Sequence, residues 1–95
     1  MKFKNTYTKL ERFTNSFSSR KRIQILAILA TKENMALNEI ARKLNTNKQN
    51  ASLHTFKLLN QGLIAKRQHG IEVEHILTNR GKMVLKFLLT IDKNL

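Results

Sequence analysis

The sequence predicts a mainly α-helical domain with one small β-hairpin, and three observations carry that prediction. The 95-residue chain has no proline and only three glycines, Gly62, Gly70 and Gly81, sparse punctuation that suits helices joined by short turns. Apolar residues recur at three- and four-residue spacing through most of the chain, the period of one helix face. The exception lies between Leu63 and Leu77, where β-branched and alternating residues surround a glycine, the pattern of paired strands.

Phe3, Tyr7, Leu10, Phe13 and Phe17 form one stripe and predict an N-terminal helix from Phe3. Ser18 or Ser19 suits the cap of a second helix. In that helix Ile23, Ile25, Leu26, Ile28 and Leu29 cover most of the circumference, the mark of a central buried element ending near Thr31. A short third helix is expected from about Leu37 to Leu44, with Leu37, Ile40, Ala41 and Leu44 facing inward. Ala36 at its cap has no acceptor to offer, so this start should fray.

Asn45, Thr46 and Asn47 read as a turn, and Asn47 caps a fourth helix running to about Asn60. Gly62, free to take positive φ, ends it. Residues 63–67 and 71–77 then pair as a hairpin around Gln68, His69 and Gly70. Thr78 caps the last helix. Its Met83, Val84, Leu85, Phe87, Leu88, Leu89, Ile91 and Leu95 span roughly 200° of the wheel, more than one core covers. A single domain follows, with residues 1–18 as an N-terminal helix, 19–77 as its core and 78–95 as a C-terminal dimerisation helix.

Charge narrows the function. The formal net charge is +12 and the pI is near 10.7, so an anionic partner is expected. Residues 40–71 contain no Asp or Glu but carry Arg42, Lys43, Lys48, Lys57, Lys66 and Arg67. A basic segment that is also apolar-patterned folds into a rigid surface instead of a solvated tail, which favours nucleic acid. Without cysteine there is no disulfide, thiolate nucleophile or Cys-based metal site. The longest apolar run, residues 25–30, is too short to cross a bilayer. An intracellular, cytoplasmic and nucleoid-associated protein is expected, without a membrane partner. No carboxylate pair, Ser-His-Asp set, Gly-rich phosphate loop or metal cluster marks an enzyme, so no cofactor and no small-molecule substrate are expected.

The order helix, helix, turn, helix, hairpin, helix is that of a winged helix-turn-helix domain. From Ser19 to about Leu89 the chain resembles winged-helix repressors of the ArsR, MarR and PadR type. SSRKRIQILAILA is similar to their first core helix, ALNEIARKLNTNKQNASLHTFKLLNQGLI to their helix-turn-helix, and HILTNRG to the wing's return strand entering the final helix. Thr55 departs from the leucine that relatives bury, and Ala36 from their Ser or Thr. The resemblance implies a homodimer that binds double-stranded DNA as a sequence-specific transcriptional regulator. Metal-sensing relatives use cysteines before the turn or carboxylate and histidine clusters on the last helix. Here Asn38, Glu39 and a solitary Asp92 stand there, so no metal is expected. His75 lies across the strand from Glu72 and Glu74, and His54 reads as a structural residue.

On the wheel of the fourth helix Ala51, Thr55, Leu58 and Gly62 face inward, while Gln49, Leu53, Phe56 and Asn60 face out. The N-terminal end of such a helix reaches base edges in the major groove, which nominates Lys48, Gln49, Ser52 and Leu53, with Asn47 and Asn50 beside phosphates and Lys57 as a further basic contact. Gln pairs with adenine, Lys donates to guanine and an apolar group touches a thymine methyl. The plainer reading of Lys48, Gln49 and Asn50 is a polar helix start. Leu53 and Phe56 fit either DNA contact or packing on the N-terminal helix or a second subunit. Lys66, Arg67 and His69 suit minor-groove edges or flanking phosphates, or else a solvated hairpin.

Tyr7, Leu10, Phe13 and Phe17, with Val84, Phe87, Leu88 and Ile91, are expected to form a two-fold interface that sets recognition helices about 34 Å apart. Three alternatives stay open: a plasmid-partition protein binding centromere repeats, a chromatin-architectural protein, and a protein-interaction module anchored by Leu53 and Phe56.

Overall fold

Local capping chemistry sets most of the element boundaries. The computed structural model describes residues 3–13, 19–32 and 34–94, with backbone alone for residues 11–13. Its elements are α1 (Tyr7–Phe13), α2 (Arg20–Thr31), β1 (Met35–Ala36), α3 (Leu37–Leu44), α4 (Lys48–Asn60), β2 (Ile64–His69), β3 (Glu72–Leu77) and α5 (Asn79–Lys93). Phe17, Ser18, Leu95 and the side chain of Phe13 lie outside the described residues. Ser19 Oγ accepts from Arg22 N at 3.3 Å, Asn47 Oδ1 from Asn50 N at 2.8 Å and Thr78 Oγ1 from Gly81 N at 3.0 Å. Each bond satisfies an amide that has no partner within its helix.

α4 stops in a Schellman arrangement: Gly62 N donates to Leu59 O and Leu63 N to Leu58 O, both at 3.0 Å, with Gly62 at φ +73°. The chain then enters the sheet, whose strand order is β1-β3-β2, antiparallel throughout. Three expectations need correction here. First, the sheet has a third strand. Met35 pairs with His75 and Ala36 with Glu74. Ala36 makes no side-chain cap bond, and this pairing holds the start of α3 in place of a cap. Second, the hairpin turn is Gly70-Ile71, closed by the His69–Glu72 pair. Gly70 has φ +64°, which a two-residue turn with glycine first requires. β2 therefore runs on to His69, β3 begins only at Glu72, and Ile71 stands at the tip, 99% exposed.

Third, the N-terminal helix begins at Tyr7, not Phe3. Thr6 Oγ1 accepts from Lys9 N at 3.1 Å, while Lys4 and Asn5 leave the helical path to meet Asp92 near the end of α5. The amides of Lys4 and Asn5 donate to the Asp92 carboxylate, and Asn5 Nδ2 donates to Asp92 Oδ1 and to the Asp92 carbonyl, both at 2.7 Å. Phe3 still packs on the core, its ring edge-on to Tyr7 with centroids 5.9 Å apart.

One core joins these elements. Leu10, Ile23, Leu29, Ile40, Leu58 and Leu88 are all buried within it. Leu10 and Leu88 were expected at a subunit interface, but both are 0% exposed in the chain's own core. A wheel shows that two residues share a helix face; it does not show which neighbour covers them. Among the described residues no helix is long and apolar enough to cross a membrane.

Candidate nucleic-acid interface

α3, the turn at Asn45 to Asn47 and α4 form the helix-turn-helix. Asn45 takes the left-handed conformation, φ 54° and ψ 50°, and its amide closes α3 on Ala41 O and Arg42 O. An asparagine tolerates this region better than most side chains. α2 braces the turn from behind: Lys21 Nζ donates to Leu44 O at 2.8 Å, and Gln24 Nε2 to Lys43 O at 3.5 Å. Thr55 is buried, and its hydroxyl donates to Ser52 O at 3.0 Å. The polar substitution thus satisfies itself within the helix.

The inner arc of α4 is Ala51, Thr55 and Leu58, all buried, and Gln49, Leu53, Phe56 and Asn60 are exposed. Lys48, Asn47, Asn50, Ser52 and Lys57 are exposed as well. Leu53 and Phe56 are 62% and 59% exposed, so they stand largely in the open on the outer arc. Asn50 is tied to the turn through Nδ2 to Thr46 Oγ1 at 3.4 Å.

The hairpin separates the three wing residues. Lys66 lines a groove of about 240 Å³ with Leu37, Ser52, Phe56, Val73 and His75, so it shares a side with α4. Arg67 lines a different hollow beside Leu29, Ile76 and Lys82, on the opposite strand face. It pairs in register with Glu74, and His69 Nδ1 lies 3.9 Å from Glu74 Oε1. Strand alternation puts Arg67, His69, Glu72 and Glu74 on one face, where acid and base offset one another. Lys66 is the wing cation on the face toward α4.

The histidines are structural in different ways. His75 is buried, and its Nδ1–H donates to Met35 O at 3.1 Å across the β1–β3 pair. Burial pushes its pKa down; Lys66 adds to this and the Met35 carbonyl opposes it. His54 is half-buried on the flank of α4 toward α2, its pKa lowered first by burial and then by Arg22, Lys57 and Lys21. No group of three or more His, Cys, Asp or Glu residues able to hold a metal occurs among the described residues.

Sequence reasoning missed Arg22 and Lys21, which the fold brings beside α4. Both sit in the first turn of α2, a stretch of basic residues with no acid at the positive end of the helix. That placement against the helix dipole was a readable signal.

Known proteins share this architecture. The MarR family profile matches residues 19–70, more than half of the chain. The fold is similar to that of MepR, a transcription regulator of the Staphylococcus aureus multidrug efflux pump MepA, with TM-score 0.85 and 17% identity over 94% of this chain and 69% of that one. A MarR family protein from Bacillus stearothermophilus aligns with TM-score 0.80 and 14% identity, covering 93% of this chain and 61% of that one. The YusO protein from Bacillus subtilis aligns with TM-score 0.81 and 20% identity, covering 90% of this chain and 62% of that one. The chain thus spans between 61% and 69% of the length of these three. No curated protein sequence is matched. With more than half of its residues fitting the family profile, this chain belongs to the MarR family.

Proposed function

We propose that the chain is a sequence-specific regulator that binds double-stranded DNA as a homodimer, with α4 in the major groove. MarR family proteins are DNA-binding transcription regulators, and this favours regulation over packaging or partition. The observation that carries the reading is the outer arc of α4: Gln49, Leu53 and Asn60 stand exposed in a stretch of 32 residues without one acid. Such an arc has both the base-reading groups and the sign of charge that a groove between phosphates demands.

Lys48, Gln49, Ser52 and Leu53 read base edges, and Asn47, Asn50 and Lys57 lie toward the backbone. Lys66 holds the wing to the duplex, with Arg67 and His69 as outer contacts softened by Glu72 and Glu74. Residues 19–77 are the DNA-binding core, and α5 carries the dimer contact through Phe87, with half-buried Val84, Ile91 and Tyr7 behind it. A protein of this kind works in the cytoplasm on the nucleoid.

Selection from random duplexes, followed by titration at several salt concentrations, tests the proposal. A defined motif is expected, and the log-log salt slope for the dimer should be on the order of −10. Alanine at Lys48 and Gln49 should erase the preference for the selected motif. Alanine at Lys66 and Arg67 should weaken selected and random duplexes alike. Unchanged specificity in the first variant would show that another surface reads the bases.

A further inference from the structure

The helical wheel of α4 has two flanks that differ in chemistry. On the wing side lie Ser52, Phe56 and Leu59, facing the groove with Val73 and Lys66. At about 100° per residue, His54 and Lys57 fall on the other side, where Arg22 and Lys21 of α2 come near enough to His54 to act on its charge. The wing flank is apolar with one cation, and the α2 flank is cationic.

Several features make the cationic flank unusual as a structural feature. Beyond the effect of burial, Arg22, Lys57 and Lys21 all act to depress His54, yet among the described residues neither ion pair involves any of them. Arg22 Nε and His54 Nδ1 are buried without a hydrogen-bond partner, so packing alone does not account for them. Lys21 and Arg22 also stand at the end of α2 where the helix dipole disfavours cations. Lys21 does have an acceptor, Leu44 O, but a neutral carbonyl leaves its charge uncompensated. In isolation each of these choices weakens the fold; an anion alongside would offset the like charges and the dipole.

A helix lodged in the major groove has a sugar-phosphate strand on either side of it. We propose that Arg22, Lys21 and Lys57 form a second backbone seat, gripping the strand that passes α4 on the side away from the wing. The seat rests on the DNA-binding reading above and adds to it a partner surface on α2, outside the helix-turn-helix and wing. It balances Lys66, so the duplex is held across the axis of α4 from both sides. Because phosphates carry no sequence information, the seat sets affinity and register and leaves motif preference unchanged.

The test compares salt titrations of wild type, Arg22→Ala, Lys57→Ala and Arg22→Lys on the selected duplex and on a random one. Each alanine should lower affinity for both duplexes by about tenfold at 0.1 M salt and reduce the dimer's slope by about two, the loss of one phosphate contact in each protomer. Arg22→Lys should retain the wild-type slope, since the charge survives, and Lys57→Ala changes an exposed residue that the core does not need. Replacing single phosphates by neutral methylphosphonates should further show that Arg22→Ala and Lys66→Ala abolish sensitivity at different positions, on the two strands flanking the helix. Unchanged affinity and slope in both alanine variants, with Lys66→Ala still weakened, would overturn the seat and leave the function standing. A wild-type protein that binds no duplex at low salt would overturn both.

Discussion

α4 and α5 bury themselves in the same rhythm: over residues 51–60 and 81–90 the succession of buried, half-buried and exposed positions is identical. The first slot is Ala51 in one and Gly81 in the other, and both helices leave large apolar groups in the open, Leu53 and Phe56 against Met83 and Phe87. What differs is how each helix is held. α4 is held by its own caps, Asn47 at its start and the Schellman turn at Gly62, and among the described residues no side chain of its last turn hydrogen-bonds to a distant segment as Asp92 of α5 does. α5 is fixed at both ends, by Thr78 and Gly81 at its start and by Asp92 near its finish. A shared hydrophobic period therefore specifies depth of burial alone; whether a helix reads a partner or anchors the fold depends on its terminal contacts.

The sharpest way to break the parallel is to exchange the small residues. A Cβ built on Gly81 meets Leu63 O at 2.0 Å and Leu77 Cδ1 at 2.7 Å, so α5 must back away from the joint where α4 ends and the sheet begins. Gly81→Ala should destabilise by about 3 kcal/mol, the upper part of the range for overpacking. Ala51→Gly, in the matching slot of α4, should cost about 1 kcal/mol through helix propensity. Thermal melts of the two variants settle the order. Equal losses would mean that the joint around Gly81 relaxes freely.

Next in size is the clamp at the far end of α5. Asp92 is buried, and although burial alone raises a carboxyl pKa, the amides of Lys4 and Asn5, the Asn5 side chain and the Lys4 charge together hold it below the ordinary value. A depressed carboxylate contributes stability that is complete above its unfolded pKa of about 3.9 and is lost as the pH falls through the lower folded value. His75 and His54 act in a different window. Both are depressed bases, so the unfolded chain takes up protons first, and stability declines as the pH falls below about 6.5. Asp92→Asn should therefore flatten the most acidic limb of a stability–pH profile while leaving the limb just below neutrality. Asp92→Ala, which strands two amides, should lose about 2 kcal/mol at neutral pH.

The parts of this molecule that were legible from sequence are those whose cause is local. Ser19, Asn47, Gly62 and Thr78 bound α2, α4 and α5 because a cap acts within four residues. The inner arc of α4 followed from its period, and so did the exposure of Leu53 and Phe56. β1 was missed because two residues carry no period, and they form a strand only where β3 lies beside them. The start of α1 was misplaced because Asn5 answers to Asp92, 87 positions away. Leu10 and Leu88 were assigned outward because the faces that cover them belong to other elements. The α2 flank of the interface went unread for the same reason: Arg22 and His54 are 32 positions apart in the chain and meet only in the fold.

The smallest effect on the protomer, and the finest test of the comparison, concerns the exposed apolar pairs. Leu53 and Met83 occupy the same slot of the shared pattern, but Leu53 sits among cations at the proposed groove face, while Met83 and Phe87 extend an apolar surface on α5. Serine at Met83 and Phe87 removes no core contact, so the isolated protomer should change by no more than about 0.5 kcal/mol. If this face joins two copies, sedimentation should show the weight-average mass falling toward that of one chain, and duplex binding should weaken with it, because two linked recognition helices act at an effective concentration that separate ones lack. Serine at Leu53 should leave the mass unchanged and reduce binding to the selected duplex alone. An unchanged mass in the α5 variant, or a fall in mass in the α4 variant, would reassign the two faces, since identical burial would then conceal the opposite division of labour.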